Sequence, residues 1–293
     1  MSLFDELVDE AIQHNTAFAP LRVVVEKELL HHDIIREMSR AGLLSQLTFM
    51  GGTCLRACYG SNRLSEDLDF TGGVGFDKAT LESMADVLIK QLKTKYGLQI
   101  DVTEPTRETG NVDTWKLKVI TRPQRRSVPT QRINIDICSV PSYSRHPSLL
   151  QNHYGVDMGT GSLLLQIESR EEIFADKIVA FALRPNRIKN RDLWDIAWLV
   201  QQGVKLPIDL VMKKHVDHQQ TREQFMEKLG ARREELLTAA DLETAFANEM
   251  SRFLPPEIAK NTVEAEGFFS YVQQTVGNAC QSVLSSENQG FRM

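Results

Sequence analysis

Cysteine is scarce in this sequence, and long hydrophobic runs are absent. The 293 residues include only four cysteines, at positions 54, 58, 138 and 280, and none of them forms a Cys-x-x-Cys pair. This scatter excludes a disulfide framework. No apolar run approaches the roughly 18 residues that a membrane-spanning helix needs. The N-terminal segment MSLFDELVDE also lacks the basic-then-apolar order of a secretory signal. We therefore expect a cytoplasmic protein with no membrane partner.

Internal repeats and low-complexity segments are absent as well. Hydrophobic residues make up 42% of the chain and charged residues 25%, proportions that are typical of soluble globular proteins. The length allows one large domain or two ordinary ones. The order of helical and alternating patterns predicts a helical arm over residues 1–45, a mixed α/β core over residues 46–168 and a helical C-terminal domain over residues 169–293.

The net charge of -5 argues against a protein whose whole surface binds nucleic acid. Two local runs nevertheless carry basic residues and no acid. The first contains Arg122, Arg125, Arg126 and Arg132, and the second contains Arg184, Arg187, Lys189 and Arg191. Each run is either a solvated loop or a contact surface for phosphate groups.

Two acidic residues alternate with apolar ones in Asp67-Leu68-Asp69-Phe70. This alternation predicts a strand with both aspartates on one face, their α-carbons about 6.5 Å apart. Two like charges side by side raise the cost of ionising each other. A bound metal ion would remove that cost, so the pair is a candidate metal site.

The residues before and after this strand extend the candidate site. A short strand at residues 47–50 precedes Gly51-Gly52, and a helix is predicted to begin near Thr53. Glycine amides at a helix start allow phosphate oxygens to approach closely. A third carboxylate, Asp136, lies on a later predicted strand. Three converging carboxylates suit a two-metal phosphoryl-transfer site, with cations about 3.5–4 Å apart.

These residues resemble the nucleotidyltransferases of the DNA polymerase β superfamily, and more narrowly the AbiEii/MenT toxins of bacterial toxin–antitoxin and phage-defence systems. The resemblance rests on Gly51-Gly52-Thr53 followed by Arg63-Leu64-Ser65-Glu66-Asp67-Leu68-Asp69-Phe70. A second match comprises Glu172 to Ala180, with its helical Lys177, and Arg191-Asp192-Leu193-Trp194-Asp195. Together the matches cover roughly residues 45–200.

The resemblance implies a polymerase-β-like nucleotidyltransferase core with a mixed sheet, flanked by N-terminal and C-terminal helices. It also implies Mg²⁺ or Mn²⁺ as cofactor and an NTP as substrate. Asp195 is an alternative to Asp192 within the same motif, and the role of Asp136 as a ligand stays open. The implied residues are Asp67, Asp69, Lys177 and Asp192 for catalysis, Gly51, Gly52, Thr53, Ser65 and Lys177 for nucleotide binding, and Asp67, Asp69 and Asp136 for metal.

The implied function is transfer of NMP from the NTP to the 3′ end of tRNA, which blocks translation, with a cognate antitoxin as partner. Attachment of the nucleotide to a protein hydroxyl is one alternative. A catalytically silent module that only binds nucleotide or RNA is another. Simpler explanations also exist: the aspartates as an exposed strand face, Lys177 as a surface residue, and Asp192 as an acid favoured by the helix dipole.

Overall fold

The computed structural model of the protein describes residues 2–105, 111–122 and 130–286. Arg125 and Arg126 of the first basic run lie outside these residues. The chain divides into two compact units, Met1–Glu168 and Ser169–Met293. The three-part division at residues 45 and 168 stays a prediction. None of the helices in the described ranges combines the length and apolar composition that a membrane span requires.

The first unit combines helices with one sheet. Its helices are α1 (Leu3–His14), α2 (Arg22–Arg40), α3 (Gly51–Tyr59) and α4 (Met84–Tyr96), with 3-10 turns at Thr16–Leu21 and Lys78–Leu81. Its strands are β1 (Thr48–Met50), β2 (Leu68–Thr71), β3 (Gln99–Thr103), β4 (Val112–Ile120), β5 (Gln131–Cys138), β6 (Arg145–Leu149) and β7 (Leu164–Glu168). The predicted mixed α/β fold class is confirmed.

The seven strands are arranged in the order β3-β4-β5-β2-β1-β7-β6. β2 pairs in parallel with β5, and β1 pairs in parallel with β7, whereas the other neighbours are antiparallel. The alternation in β5 buries Ile133, Ile135 and Ile137 on one face of the sheet. The polar residues between them therefore point to the opposite face.

Helix α2 packs against β5 and α4, and it is buried along most of its length. Its buried acids are all paired, as buried charges must be. Asp33 accepts hydrogen bonds from Lys95 Nζ and Tyr96 Oη, each at 2.6 Å, and Arg36 Nη2 also lies 2.6 Å away. Glu26 is paired with Arg122, which also donates to Asp5 at 2.7 Å. Arg122 of the first basic run therefore joins α1 to α2, a structural role.

The second unit is helical. Its helices are α5 (Arg170–Leu183), α6 (Asn190–Gln201), α7 (Ile208–Asp217), α8 (Arg222–Thr238), α9 (Leu242–Met250), α10 (Pro256–Asn261) and α11 (Phe268–Ser285). α5 packs against α6, α7 and α8, and α6 also contacts α9 and α11. Ser169 caps α5 by accepting the Glu172 amide at 3.1 Å. The buried Lys214 lies 2.8 Å from Glu172 and 2.7 Å from Asp176, which satisfies three charges at once.

Ile135 tests the contribution of the central strand to stability. It is fully buried and lies opposite Leu68 on β2 and Trp115 on β4. We expect Ile135→Ala to lower the free energy of unfolding by about 2–5 kcal/mol, because deleting buried methylene groups leaves a cavity. Val112→Ala, at the exposed start of β4, should change it by about 0.5 kcal/mol or less. Denaturant titration followed by circular dichroism measures both, and equal losses would contradict the assigned burial.

Candidate active site

Gly51 lies where strand β1 passes directly into helix α3. The helix begins at Gly51, two residues before the predicted start at Thr53. Gly51 has a φ of +75°, which residues with a side chain rarely adopt. A Cβ at this position would lie 2.6 Å from Asp69 Oδ2. Glycine is therefore required both by the backbone conformation and by the close approach of a carboxylate.

The register of the sheet explains that approach. Met50 on β1 lies opposite Asp69 on β2, and Asp69 lies beside Asp136 on the parallel strand β5. Side chains in register on neighbouring strands share a face of the sheet. The structure thus brings Gly51, Asp69 and Asp136 together, whereas Asp67, predicted to lie in the same strand as Asp69, precedes β2.

The carboxylates of Asp67 and Asp136 each accept a hydrogen bond from the protein. Asp67 Oδ1 accepts the Asn134 amide at 3.0 Å, and Asp136 Oδ1 accepts the Thr114 hydroxyl at 2.7 Å. Within the described part of the chain, Asp67, Asp69 and Asp136 do not form a group in which the carboxylate oxygens all lie within 4.8 Å of one another. The three acids therefore share one region without converging on a single point.

Thr53 and Ser65 connect the first turn of α3 to the segment before β2. The Thr53 hydroxyl is hydrogen-bonded to the Ser65 hydroxyl and to the Asp67 carbonyl oxygen. Both side chains are buried. These two residues, predicted to bind nucleotide, hold the segment that leads into β2 against the start of α3.

Helix α2 holds the same segment from the other side, through residues that the sequence patterns did not identify. Glu28 Oε1 accepts the Ser65 amide at 2.7 Å. Lys27 Nζ donates to Glu66 Oε1 at 2.7 Å, and His31 Nε2 lies 3.0 Å from the Glu66 carbonyl oxygen. The sequence did contain one sign of this role: charged residues occur among the apolar residues of α2.

Glu28 also contacts two residues from elsewhere in the unit. Glu28 Oε2 accepts Arg56 Nε of α3 at 3.2 Å and the hydroxyl of Tyr154. Burial, reinforced by the Glu28 carboxylate, raises the pKa of Tyr154 well above its usual value. The tyrosine therefore stays protonated and remains a donor.

A small cavity of about 20 Å³ lies between α2 and α3, lined by Glu28, His31, His32, Thr53, Arg56 and His153 among others. That volume is enough for a single water molecule. Two buried polar atoms of the lining residues, His31 Nδ1 and Arg56 Nη2, have no hydrogen-bond partner in the described part of the chain. The cavity is too small for a nucleotide.

The second unit carries the other predicted residues. Lys177 on α5 lies 2.8 Å from Asp192 Oδ1 and 2.7 Å from Asp195 Oδ2, both on α6. The two acids are three residues apart and so share a helix face. Asp192 also accepts Arg184 Nη2 at 3.0 Å. Both acids of the motif therefore contact the same lysine.

The charges around Asp192 keep it ionised. Burial would raise the pKa of Asp192, but Lys177, followed by Lys189 and Arg184, lowers it far below its ordinary value. Lys189 is itself desolvated, and this burial lowers its pKa. Asp192 is a buried member of a charge network, which is more than the helix dipole alone explains.

The basic residues of the second run, from Arg184 to Arg191, differ in whether they are paired with a carboxylate. Arg184 pairs with Asp192, and Arg191 Nε lies 3.5 Å from Glu249 Oε1 with its guanidinium over the Phe253 ring. Arg187 is exposed and Lys189 is half-buried. Arg187 is therefore the member of this run best placed to meet a phosphate group, since Lys189 acts on the buried Asp192.

His32 provides a pH test of the α2 environment. Burial lowers its pKa from 6.5 to about 4, and its Nδ1 lies 2.9 Å from the Thr160 hydroxyl. Between these pH values the unfolded chain binds a proton that the folded chain does not. The contribution of His32 to the free energy of unfolding is therefore complete above pH 6.5 and is lost as the pH falls towards 4. The charged and titratable groups nearby are Glu28, His31, Asp33 and His153.

We expect His32→Asn to flatten the decline in stability across this window, because asparagine keeps a hydrogen-bonding group without the titration. Denaturant midpoints measured at several pH values test this. Equal slopes for His32→Asn and the unsubstituted protein would contradict the burial effect.

Comparisons with solved structures support the fold. MenT4, a nucleotidyltransferase toxin from Mycobacterium tuberculosis H37Rv, is similar with a TM-score of 0.53 and 17% identity, over 95% of this chain and 98% of that one. JHP933 from Helicobacter pylori gives 0.49 and 17% identity, over 91% and 94% of the two chains. A putative H. pylori nucleotidyltransferase gives 0.48 and 16%, over 91% and 99%. MenT4, whose TM-score exceeds 0.5, is the structure among these three that supports the fold.

No curated protein matches the chain. The family described as "Nucleotidyl transferase AbiEii toxin, Type IV TA system" matches residues 33–273, well over half of the sequence. The match includes both predicted motifs, from Gly51 to Phe70 and from Glu172 to Asp195. The protein is therefore a nucleotidyltransferase and belongs to the AbiEii family of toxins from type IV toxin–antitoxin systems.

Proposed function

We propose that the protein transfers NMP from an NTP to the 3′ end of tRNA, with Mg²⁺ or Mn²⁺ as cofactor, and thereby blocks translation. The observation that carries this proposal is the contact between the start of α3 and the Asp69 carboxylate, where only glycine fits. A phosphate-binding helix start and a metal-binding acid are the two parts that nucleotidyl transfer requires side by side. Because the proposed acceptor is a cytoplasmic RNA, we also propose that the protein acts in the cytoplasm.

The nucleotide phosphates are bound by the chain segment from Gly51 to Thr53 and by Ser65. The first amides of α3 have no acceptor within the helix and so can donate to phosphate oxygens. Gly51 and Gly52 add no side chain that would obstruct this approach. Thr53 and Ser65 fix the two sides of the site through their shared hydrogen bond.

Asp67 and Asp69 fit a divalent cation by the chemistry of their donor atoms. Carboxylate oxygens are the ligands that Mg²⁺ and Mn²⁺ prefer, and Mg²⁺ is usually held by one or two carboxylates together with substrate phosphates. Asp136 is a third candidate, with Oδ1 bonded to Thr114. When bound, the cation would neutralise phosphate charge and favour ionisation of the attacking hydroxyl.

In the second unit, Lys177 is proposed to contact a nucleotide phosphate. Asp192 and Asp195 hold its ammonium group in position. The strongly lowered pKa of Asp192 supports this role, because a neutral acid would release the lysine. The proposed role of Asp192 is therefore to position Lys177.

Arg187 is the proposed contact to the phosphates of tRNA, since Arg184 and Arg191 are paired with carboxylates and Lys189 acts on the buried Asp192. Phosphate neutralisation by Arg and Lys supplies much of the affinity for nucleic acids. The type IV family also implies a cognate antitoxin as partner. Protein nucleotidylation and a silent binding module are the outcomes that a transfer assay must separate from tRNA modification.

The transfer assay uses each labelled NTP with Mg²⁺, total tRNA and the purified protein. We expect label to enter tRNA with one or more NTPs, and Asp69→Asn to reduce transfer by at least about 100-fold, because charge stabilisation at the reacting phosphate is lost. Asp101→Asn, an exposed aspartate on β3, is the matched control and should retain transfer.

Two results would overturn the proposed acceptor or the proposed activity. Label in the protein fraction but not in tRNA would establish protein nucleotidylation. No label in either acceptor, with NTP binding retained, would establish a silent module. Equal transfer by Asp69→Asn and the unsubstituted protein would remove Asp69 from the site.

Gly51→Ala tests the close approach itself. Gly42 is its matched control, because both glycines have a positive φ but a Cβ at Gly42 would meet nothing within 4 Å. We expect each alanine variant to lose about 1 kcal/mol of stability from backbone strain, with a larger loss for Gly51→Ala. Nucleotide transfer should fall by at least about tenfold only in Gly51→Ala, because Asp69 must move. Equal transfer in the two variants would contradict the assigned contact.

A further inference from the structure

We propose that Glu28 of helix α2 is a positioning residue for the nucleotide-binding site. Its carboxylate sets the conformation of residues 61–67, which lead into β2. This inference rests on the proposed function, because it assigns Glu28 to the same site. Glu28 contacts neither substrate nor metal in this account and acts through Ser65 and Arg56.

Glu28 gathers three separate parts of the first unit on one carboxylate. Its Oε1 accepts the Ser65 amide at 2.7 Å, and its Oε2 accepts Arg56 Nε at 3.2 Å and the Tyr154 hydroxyl. The residue is only 5% exposed. Hydrogen bonds to an ionised and buried acceptor are stronger than neutral ones. The carboxylate is therefore a strong anchor for the amide of Ser65.

The anchor acts on both ends of the segment 61–67. Glu28 holds Ser65 directly, while Arg56 Nη1 donates to the Ser61 carbonyl oxygen at 3.0 Å. The hydroxyl of Ser65 is held by Thr53 of α3. Backbone and side chain of Ser65 are thus fixed from two helices. The position of Asp67, two residues later, follows from the position of Ser65.

The chemistry requires an acceptor that has no hydrogen of its own. All three partners of Glu28 are donors, and an ionised carboxylate is acceptor-only. Glutamine has the same shape, but its NH₂ group would face either the Ser65 amide or the two donors Arg56 and Tyr154. Glu28→Gln therefore leaves at least one donor buried without an acceptor.

Asp33 provides a matched control on the same helix. It is also a buried carboxylate that accepts from a tyrosine and two cationic side chains, Tyr96, Lys95 and Arg36. None of these partners belongs to the segment 61–67. Asp33→Asn therefore disturbs a similar buried network of α2 without contacting the site.

The first measurement is hydrogen–deuterium exchange, which needs no enzymatic activity. In Glu28→Gln we expect the peptide covering residues 61–67 to exchange about tenfold faster or more, with the end of α4 unaffected. Asp33→Asn should show the opposite pattern, with faster exchange near Tyr96 only. Equal acceleration of residues 61–67 in the two variants, or none in Glu28→Gln, would overturn the proposal.

The second measurement is NTP-dependent transfer. Glu28→Gln should raise KM for the NTP and also lower kcat, with a combined fall in kcat/KM of about tenfold or more. The kcat/KM of Asp33→Asn should stay within about threefold of the value for the unsubstituted protein. If the unsubstituted protein transfers no nucleotide, the proposed function fails, and the exchange pattern still decides the role of Glu28.

Glu28→Gln is a buried substitution and tests the proposal only if the variant folds. Tyr154→Phe and Tyr96→Phe are milder counterparts, because each removes one hydroxyl that donates to Glu28 or Asp33. We expect Tyr154→Phe alone to accelerate exchange of residues 61–67, by about threefold. No difference between these two variants would also overturn the proposal.

Discussion

The close approach of Gly51 to Asp69 is the constraint on which the site depends. A side chain at position 51 would occupy the place of the carboxylate, and the φ of +75° permits little except glycine. Because Met50 pairs with Asp69 across β1 and β2, the sheet itself brings the helix start to the acid. The positive end of α3 therefore faces a negative strand, which suits a substrate that carries negative phosphates and a positive metal.

The rest of the first unit is arranged to hold that contact in place. Helix α2 buries several charged residues where an apolar face would have sufficed for packing. Buried ion pairs contribute little net stability compared with apolar packing, but removing one partner is costly. Glu28 and His31 lie behind the site, where they contact Ser65, Tyr154 and Glu66, whereas Glu26 and Asp33 pair with Arg122 and with residues of α4. Conformational precision of the site is therefore the stronger explanation for Glu28 and His31.

Much of this architecture could be predicted from local patterns. The strand, Gly-Gly and helix succession and the Asp-Leu-Asp alternation indicated Gly51, Asp67 and Asp69, because strand periodicity assigns side chains to faces. Long-range contacts could not be predicted in this way. The helical spacing of α2 identified its apolar residues but gave no sign that Glu28 meets Ser65, which is 37 residues away. Asparagine is a favoured N-cap residue, yet α6 begins at Asn190 itself, and the Asn190 side-chain amide donates to Glu249.

We propose that Asp67 and Asp69 bind the metal beside a triphosphate held at the start of α3. Anomalous diffraction from crystals grown with Mn²⁺ and a non-hydrolysable NTP analogue tests this arrangement. We expect a manganese peak in contact with oxygens of Asp67, Asp69 and the analogue, with a phosphate group at the amides of Gly51 to Thr53. A manganese peak bound by other residues, or phosphates located away from α3, would contradict it.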